Sequence, residues 1–337
     1  MAASGIQSID SLLDGSSSTS IATNDHEAVG ATQALLIGHG HHELPKVLAA
    51  SYGTFGPQTT AALRDFQAAN GVVPVSAAID AQTLQALVSV AAVTPLVSRA
   101  YATLVLDVAY TGLLPVATVT MQFEGGGFFG AANLNTDKAG LSFGLIQWAQ
   151  KPRRLHELLQ AFQQADGDRF TAVFGDGDAS LTADLLAHTA RQGGGVDAAG
   201  HTTDARFDLV SEPWRSRFQS AGRDVVFQRA QLASAVTAVT TSADQIRATM
   251  PLIQSERGLT FMLDVANQFG DAGAHSIAAA VTQPGMTEAG LLQAAQGESV
   301  RRVEHQFGVG SNEAKSTLNR REAIRTTPRL SDSTLSA

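Results

Sequence analysis

The chain has 337 residues, of which 44% are apolar, 16% charged and 6% aromatic; its net charge is −8 and it has no cysteine. This length and apolar content are enough for one large core or two smaller ones. The acidic balance gives no electrostatic footing for nucleic acid, and the lack of cysteine excludes disulfides and thiolate chemistry. Abundant alanine and glycine with few aromatics suit close helix packing better than a β-sandwich, so the expected fold class is mainly α.

Residues 1–25 are rich in Ser, Thr, Ala and Asp and are expected to form a flexible leader. They contain neither a basic segment nor a continuous apolar run, so no secretory signal is read there, and synthesis in the cytoplasm without a signal peptide is expected. A first helix is expected around Ala28, Val29, Thr32 and Leu35-Leu36. A second is expected over 57–70, with Pro57 in its first turn, Ala62, Phe66 and Ala69 on one face and Gly71 past its end. Asp80 caps a third, with Leu84, Leu87 and Val88 on one face. Between the first two, His39, His41 and His42 have no spaced acid or thiolate to complete a metal site and are read as a solvated loop; no metal or cofactor is expected.

The run Gly53-Thr54-Phe55-Gly56-Pro57-Gln58-Thr59, then 61–71, then Ile79-Asp80-Ala81-Gln82-Thr83-Leu84-Gln85-Ala86-Leu87 resembles the three-helix peptidoglycan-binding module of many cell-wall hydrolases. The likeness departs at Tyr52, where the family usually has Asp, and in an insertion over 38–50. It implies a binding domain over 26–91, a bacterial peptidoglycan partner, and contacts from Tyr52, Thr54, Gln58 and Thr59.

Pro95 and an apolar helix over 97–110 lead into a second domain expected over 92–327. The most apolar tract, 100–120, is broken by Asp107, Gly112 and Pro115, so it is read as buried helices and no membrane insertion is expected. The apolar run 116–123 ends at Glu124, and Gly125 to Gly127 follow; glycine after the last apolar turn commonly stops a helix. A carboxyl at the end of a buried helix is partly withdrawn from water, which favours its protonated form and suits it to protonate the leaving oxygen of a glycoside. Asp137 lies thirteen positions on. Fully extended, that stretch spans roughly 43 Å, so only a loop that doubles back brings the two carboxyls to the roughly 5–9.5 Å that glycoside hydrolysis uses. Gly130, Asn133 and Asn135 favour turns, and 141–148 reads as a short strand or hairpin arm. Ser142 is placed to hold a water beside Asp137.

The stretch 124–148 resembles the lysozyme-like superfamily. Goose-type lysozymes and lytic transglycosylases share the glutamate, the glycine-containing loop and the element seen here as Phe143-Gly144-Leu145-Ile146-Gln147. Inverting chitosanases share the aspartate with Ser/Thr five positions on, here Asp137 and Ser142. The glutamate-to-aspartate spacing is that of the goose-type enzymes. The resemblance implies a helical domain with a short β-hairpin at its active site, Glu124 as general acid, Asp137 as general base or charge stabiliser, and Gln147 positioning water or sugar.

Further on, 153–162 reads as an amphipathic helix. The acidic stretch 166–184 fails as a calcium loop, because Leu181 and Ala187 stand where Gly and Glu are needed, and it is read as a surface turn. Gly193 to Gly195 is read as a flexible loop. Trp214 and Trp148 are expected to pack in the core, and 225–239 to form a long helix. In 256–270, Asp264, Asn267 and Gln268 are polar in a helix that should be largely internal. Similarity to a late helix of chitosanase-like lysozyme folds makes Asp264 and Gln268 candidate cleft residues, with a structural polar network as the alternative. The helix 312–325 carries Arg320, Arg321 and Arg325, read as a solvated face, and 328–337 as a flexible tail. Together these features resemble the modular endolysins of phages that infect Gram-negative bacteria. They imply a monomeric N-acetylmuramidase acting on the wall after release, with lytic transglycosylase, chitosanase or chitinase, and a non-catalytic wall-binding structural protein as rivals.

Overall fold

The computed structural model describes residues 3–335. The fold is mainly helical, with a small three-stranded antiparallel sheet. It divides into two compact units, one built from the chain up to Tyr110 with Glu124–Ser234, the other from Thr111–Phe123 with the chain from Ala235 onward. This division differs from the boundary expected near residue 92.

The first unit opens with a helix the sequence reading missed, a correction to the flexible leader. α1 (Gln7–Leu13) buries Ile9 and Leu12 at helical spacing, Asp10 accepts hydrogen bonds from the Ser4 amide and hydroxyl at 2.7 Å, and Ile21 N–H donates to Ile79 at 2.9 Å. α2 (His26–Gly38), α3 (Pro57–Ala69) and α4 (Ala81–Ser89) form the expected three-helix module. Asp25 and Asp80 cap α2 and α4, and Leu35, Leu63, Phe66, Leu84 and Leu87 fill its centre. His39 belongs to this frame: one ring nitrogen meets the Leu87 carbonyl at 2.9 Å and the ring lies 4.8 Å from that of Phe66.

The linker after the module is stitched in on both sides. Thr94 N–H donates to Gly38, Phe129 N–H to Pro95 at 3.1 Å and Val97 N–H to Gly127 at 2.7 Å, and Leu96 bridges Phe128. These bonds explain why the module and the segment after Glu124 share one unit. The helix expected over 97–110 shortens to a turn of π-helix, Tyr101–Val105, and Asp107 adopts a left-handed φ of 56° two residues later.

α5 (Leu114–Glu124) is buried through Met121 and ends in Gly125 to Gly127. β1 (Ala132–Leu134), β2 (Leu141–Phe143) and β3 (Trp148–Ala149) follow as an antiparallel meander, with Ala132 opposite Phe143 and Leu134 opposite Leu141. Phe143 enters a cluster with Phe218 and Phe227, which continues through Phe162, Phe170 and Phe174 at ring separations of 4.7–6.2 Å. These rings come from α6 (Arg154–Ala165), α7 (Gly167–Gly175), α9 (Trp214–Ala221) and α10 (Val225–Thr249). Trp214 packs inward and donates to the Arg206 carbonyl at 2.7 Å, and Trp148 is buried in β3.

The acidic stretch 166–184 is helical, which corrects the surface-turn expectation. Asp166 and Asp178 are the N-caps of α7 and of α8 (Ala179–Ala190), and Asp176 pairs with Arg217 at 2.6 Å. Gly193 to Gly195 form a tight turn with Gly194 and Gly195 buried; any side chain on Gly195 would run into the His188 ring. His188 is fully buried, stacks on Phe207 at 5.0 Å, and has no hydrogen-bond partner on either ring nitrogen among the described residues. Burial holds its pKa below the ordinary value, with Arg191 adding to the effect. Because the unfolded chain takes up this proton first, stability is complete above about pH 6.5 and falls as the pH drops below that value. Melting scans should therefore show a smaller acid-side loss for His188→Phe than for the parent; equal losses would exclude His188 as the cause.

In the second unit, α11 (Glu256–Val281), α12 (Glu288–Phe307) and α13 (Asn312–Thr326) pack on one another. Ser255, Thr287 and Ser311 cap them, each accepting from the amide three residues on. Gly270, at φ 72°, interrupts α11. Residues 328–335 are tied in, a correction to the flexible tail: Arg257 donates to the Leu330 carbonyl at 2.8 Å, Leu335 N–H to Gln254 at 3.0 Å, and Leu330 is buried. The last two residues of the expected tail lie outside the described residues. Among the described residues, no helix is long and apolar enough to cross a membrane.

Candidate active site

Glu124 is the last residue of α5 and is half-buried. The chain leaving it is fixed by close packing. A Cβ on Gly125 would lie 2.8 Å from the Gly144 carbonyl oxygen and 3.2 Å from the Ala131 Cβ, so only glycine lets this strand of backbone approach the β2–β3 turn. The turn is held in place by two glutamines. The Gln147 amide donates to the Gly144 carbonyl at 2.9 Å and the Ala131 carbonyl at 3.3 Å. Gln231, buried on α10, donates to the Phe129 carbonyl at 3.0 Å and accepts from Leu145 N–H at 3.1 Å. Gln147 thus holds the backbone beside Glu124, and Gln231, which the sequence reading missed, holds the same turn from α10. Its signal was a pair of glutamines, 228 and 231, three apart in an alanine- and valine-rich helix. Gln150, also buried, ties Leu141 N–H to the Gly194 carbonyl in the same way.

Asp137 stands in the β1–β2 turn, exposed to solvent, and one carboxylate oxygen accepts from Ala139 N–H at 3.1 Å. Asn133 and Asn135 shape this turn, the first accepting from Thr136 N–H and the second from Gly140 N–H, both at 3.0 Å. Lys151 brings an ammonium to it, donating to the Lys138 carbonyl at 3.3 Å and to the Ala198 carbonyl at 2.7 Å. The hairpin does double back, but it separates the two acids along its length: the Glu124 end is at Gly144 and Ala131, the Asp137 end at Gly140. From Gly144 to Gly140 is about 14 Å at about 3.4 Å per residue.

Ser142 lies between, opposite Asn133 and Ala149. It is 3% exposed and its hydroxyl has no partner among the described residues, so it is sealed in the sheet and does not sit at the rim with Asp137. This corrects the expectation that it holds a water there.

Asp264 and Gln268 belong to a structural network in the second unit, which corrects their expected role in substrate binding. Asp264, 1% exposed, is flanked by Arg320 and Arg321, and Arg321 also donates to the Asp264 carbonyl at 3.2 Å and to Gln268 at 2.9 Å. Gln268 donates onward to Thr317 at 2.7 Å. Arg321 is fully buried, over the Phe261 ring, and Arg320 lies over Phe123, which overturns the solvated face expected for α13. Burial draws the Arg321 pKa down to about 10, leaving it cationic at neutral pH.

In the module, Gln33 clamps the loop before α3. It accepts from Gly53 N–H at 2.8 Å and donates to the Thr54 carbonyl at 3.0 Å and the Thr59 hydroxyl at 2.8 Å. Thr59 is therefore a core residue, 1% exposed, not a ligand contact as expected. Gln67 repeats the device one helix later, accepting from Ala77 N–H and donating to Ala78 and Thr83. Thr54 and Gln58 remain exposed, and Tyr52 is half-exposed against Gly30 of α2. No group of three or more acids and histidines fit to hold a metal occurs among the described residues.

A family described as a peptidoglycan binding domain matches residues 25–87. The chain thus carries a peptidoglycan-binding module, and peptidoglycan is its partner. Searches of curated proteins and of solved structures give no match.

Proposed function

We propose that the chain is a peptidoglycan hydrolase of the N-acetylmuramidase type, in which Glu124 protonates the leaving glycosidic oxygen and Asp137 serves as general base or charge stabiliser. The observation that carries this reading is the seat of Glu124: a half-buried carboxyl at the end of an apolar helix, fixed by glycine packing against a small sheet. The same compact unit contains the wall-binding module. The hairpin is about 14 Å between its ends, beyond the roughly 5–9.5 Å that two cooperating carboxyls span, so the weight of the reading falls on Glu124. The role of a phage-type endolysin, reaching the wall after release from the cytoplasm, fits this activity.

The exposure of Asp137 at the hairpin tip favours one second reading, a lytic transglycosylase in which the glutamate works alone and the sugar 6-hydroxyl replaces water. Mass spectrometry of fragments from purified sacculi separates the two. Reducing muramic acid ends are expected; 1,6-anhydro ends would replace the hydrolase with the transglycosylase, and uncut sacculi would remove both.

A further inference from the structure

A cavity of about 600 Å³ lies within the first unit, where the module, the linker and the loop after Glu124 meet. Its volume is that of a small-ligand site. Ile37 of the module, Pro95 of the linker and Phe128 of the loop give it an apolar floor, and His42, Lys46 and Arg223 supply basic groups at its wall. No carboxylate lines it. His42 is held by Thr94 at 3.3 Å and packs edge-on against Phe128 at 5.8 Å. Lys46 and Arg223 are exposed, and their side chains have no ion pair or hydrogen bond among the described residues. The cavity therefore offers positive charge that the protein does not neutralise.

A bare glycan strand presents hydroxyls, acetamides and a single lactyl carboxylate held close to each muramic acid ring, too little charge and apolar surface to match both basic groups and the apolar floor. The peptide carried on muramic acid presents both features, methyl side chains and free carboxylates, on a short flexible chain. We propose that this cavity is the subsite for the anionic stem peptide of peptidoglycan, with Lys46 and Arg223 taking its carboxylates and Phe128 and Ile37 its methyl groups. This rests on the peptidoglycan-hydrolase reading. Phe128 follows Glu124 by four residues, on backbone fixed by the Phe129 to Gln231 hydrogen bond. A peptide seated in the cavity would thus orient its own muramic acid toward the acid.

Calorimetric titration with two probes tests this: a GlcNAc-MurNAc disaccharide bearing a tetrapeptide, and the same disaccharide without peptide. The parent should bind the peptide-bearing probe about tenfold or more tightly, with a preference that shrinks as salt rises. Lys46→Glu with Arg223→Glu should abolish the preference at unchanged melting temperature, and Arg223→Ala alone should reduce it. A parent that cuts sacculi yet binds both probes equally, or a folded double variant that keeps the preference, overturns the subsite alone. A parent that prefers the peptide-bearing probe but releases no glycan upholds the subsite and overturns the hydrolase.

Discussion

Glu124→Gln is expected to lower the rate of glycan release from sacculi by about 10²–10⁴-fold, the usual contribution of a general acid. The substitution keeps the shape of the side chain and removes the proton that the leaving oxygen needs. Glu124 is half-buried at a helix end, so an isosteric change there should shift stability by no more than about 0.5 kcal/mol. Wall binding should persist, because the module spanning residues 25–87 is untouched. Rate, melting temperature and sedimentation with sacculi, measured together, distinguish lost chemistry from lost folding or lost binding. A variant that cuts as fast as the parent would remove Glu124 from the mechanism.

Asp264→Ala should be the most destabilising single change in the second unit. It leaves Arg321, with 0% exposure, and its neighbour Arg320 without their carboxylate. Removing one partner of a buried ion pair costs about 3–5 kcal/mol, a large part of the roughly 5–15 kcal/mol that holds a typical protein folded. Replacing Asp264 and Arg321 together by Leu and Met removes both charges and should recover much of that loss. Urea unfolding followed by circular dichroism reads both effects. A single variant as stable as the parent would mean that the cluster contributes nothing net.

Where local chemistry decides the structure, the sequence was legible. Pro57, Asp80 and the apolar spacing of Phe66, Leu84 and Leu87 located the module helices, and the glycines after Glu124 located the end of α5. Asp166 and Asp178 were misread because an aspartate beside a glycine suits a surface turn and a helix cap alike, and only the following register tells them apart. α1 was hidden by serines, although Ile6, Ile9 and Leu12 carry the spacing of a buried face.

The candidate site divides along the same line. Glu124 and the hairpin follow from local signals. The partners of Asp264 lie 56 and 57 residues away, and the bonds that fix the Glu124 loop come from Gln231, 102 residues from Phe129. Pairings of that range leave no periodic trace, so the sequence left Asp264 open between cleft lining and a structural network. The linker shows the same limit. It was expected to lead from the module into a second domain, yet backbone bonds from Thr94 and Val97 build it into the unit that holds Glu124. The module and Glu124 thus belong to one compact unit.

The most direct measurement is dye release from labelled sacculi at equal amounts of wall-bound protein, with the parent and Glu124→Gln side by side. The account predicts steady release by the parent and almost none by the variant, at the same bound amount. Equal release by the two, or a parent that coats the sacculi and frees no dye, would contradict it.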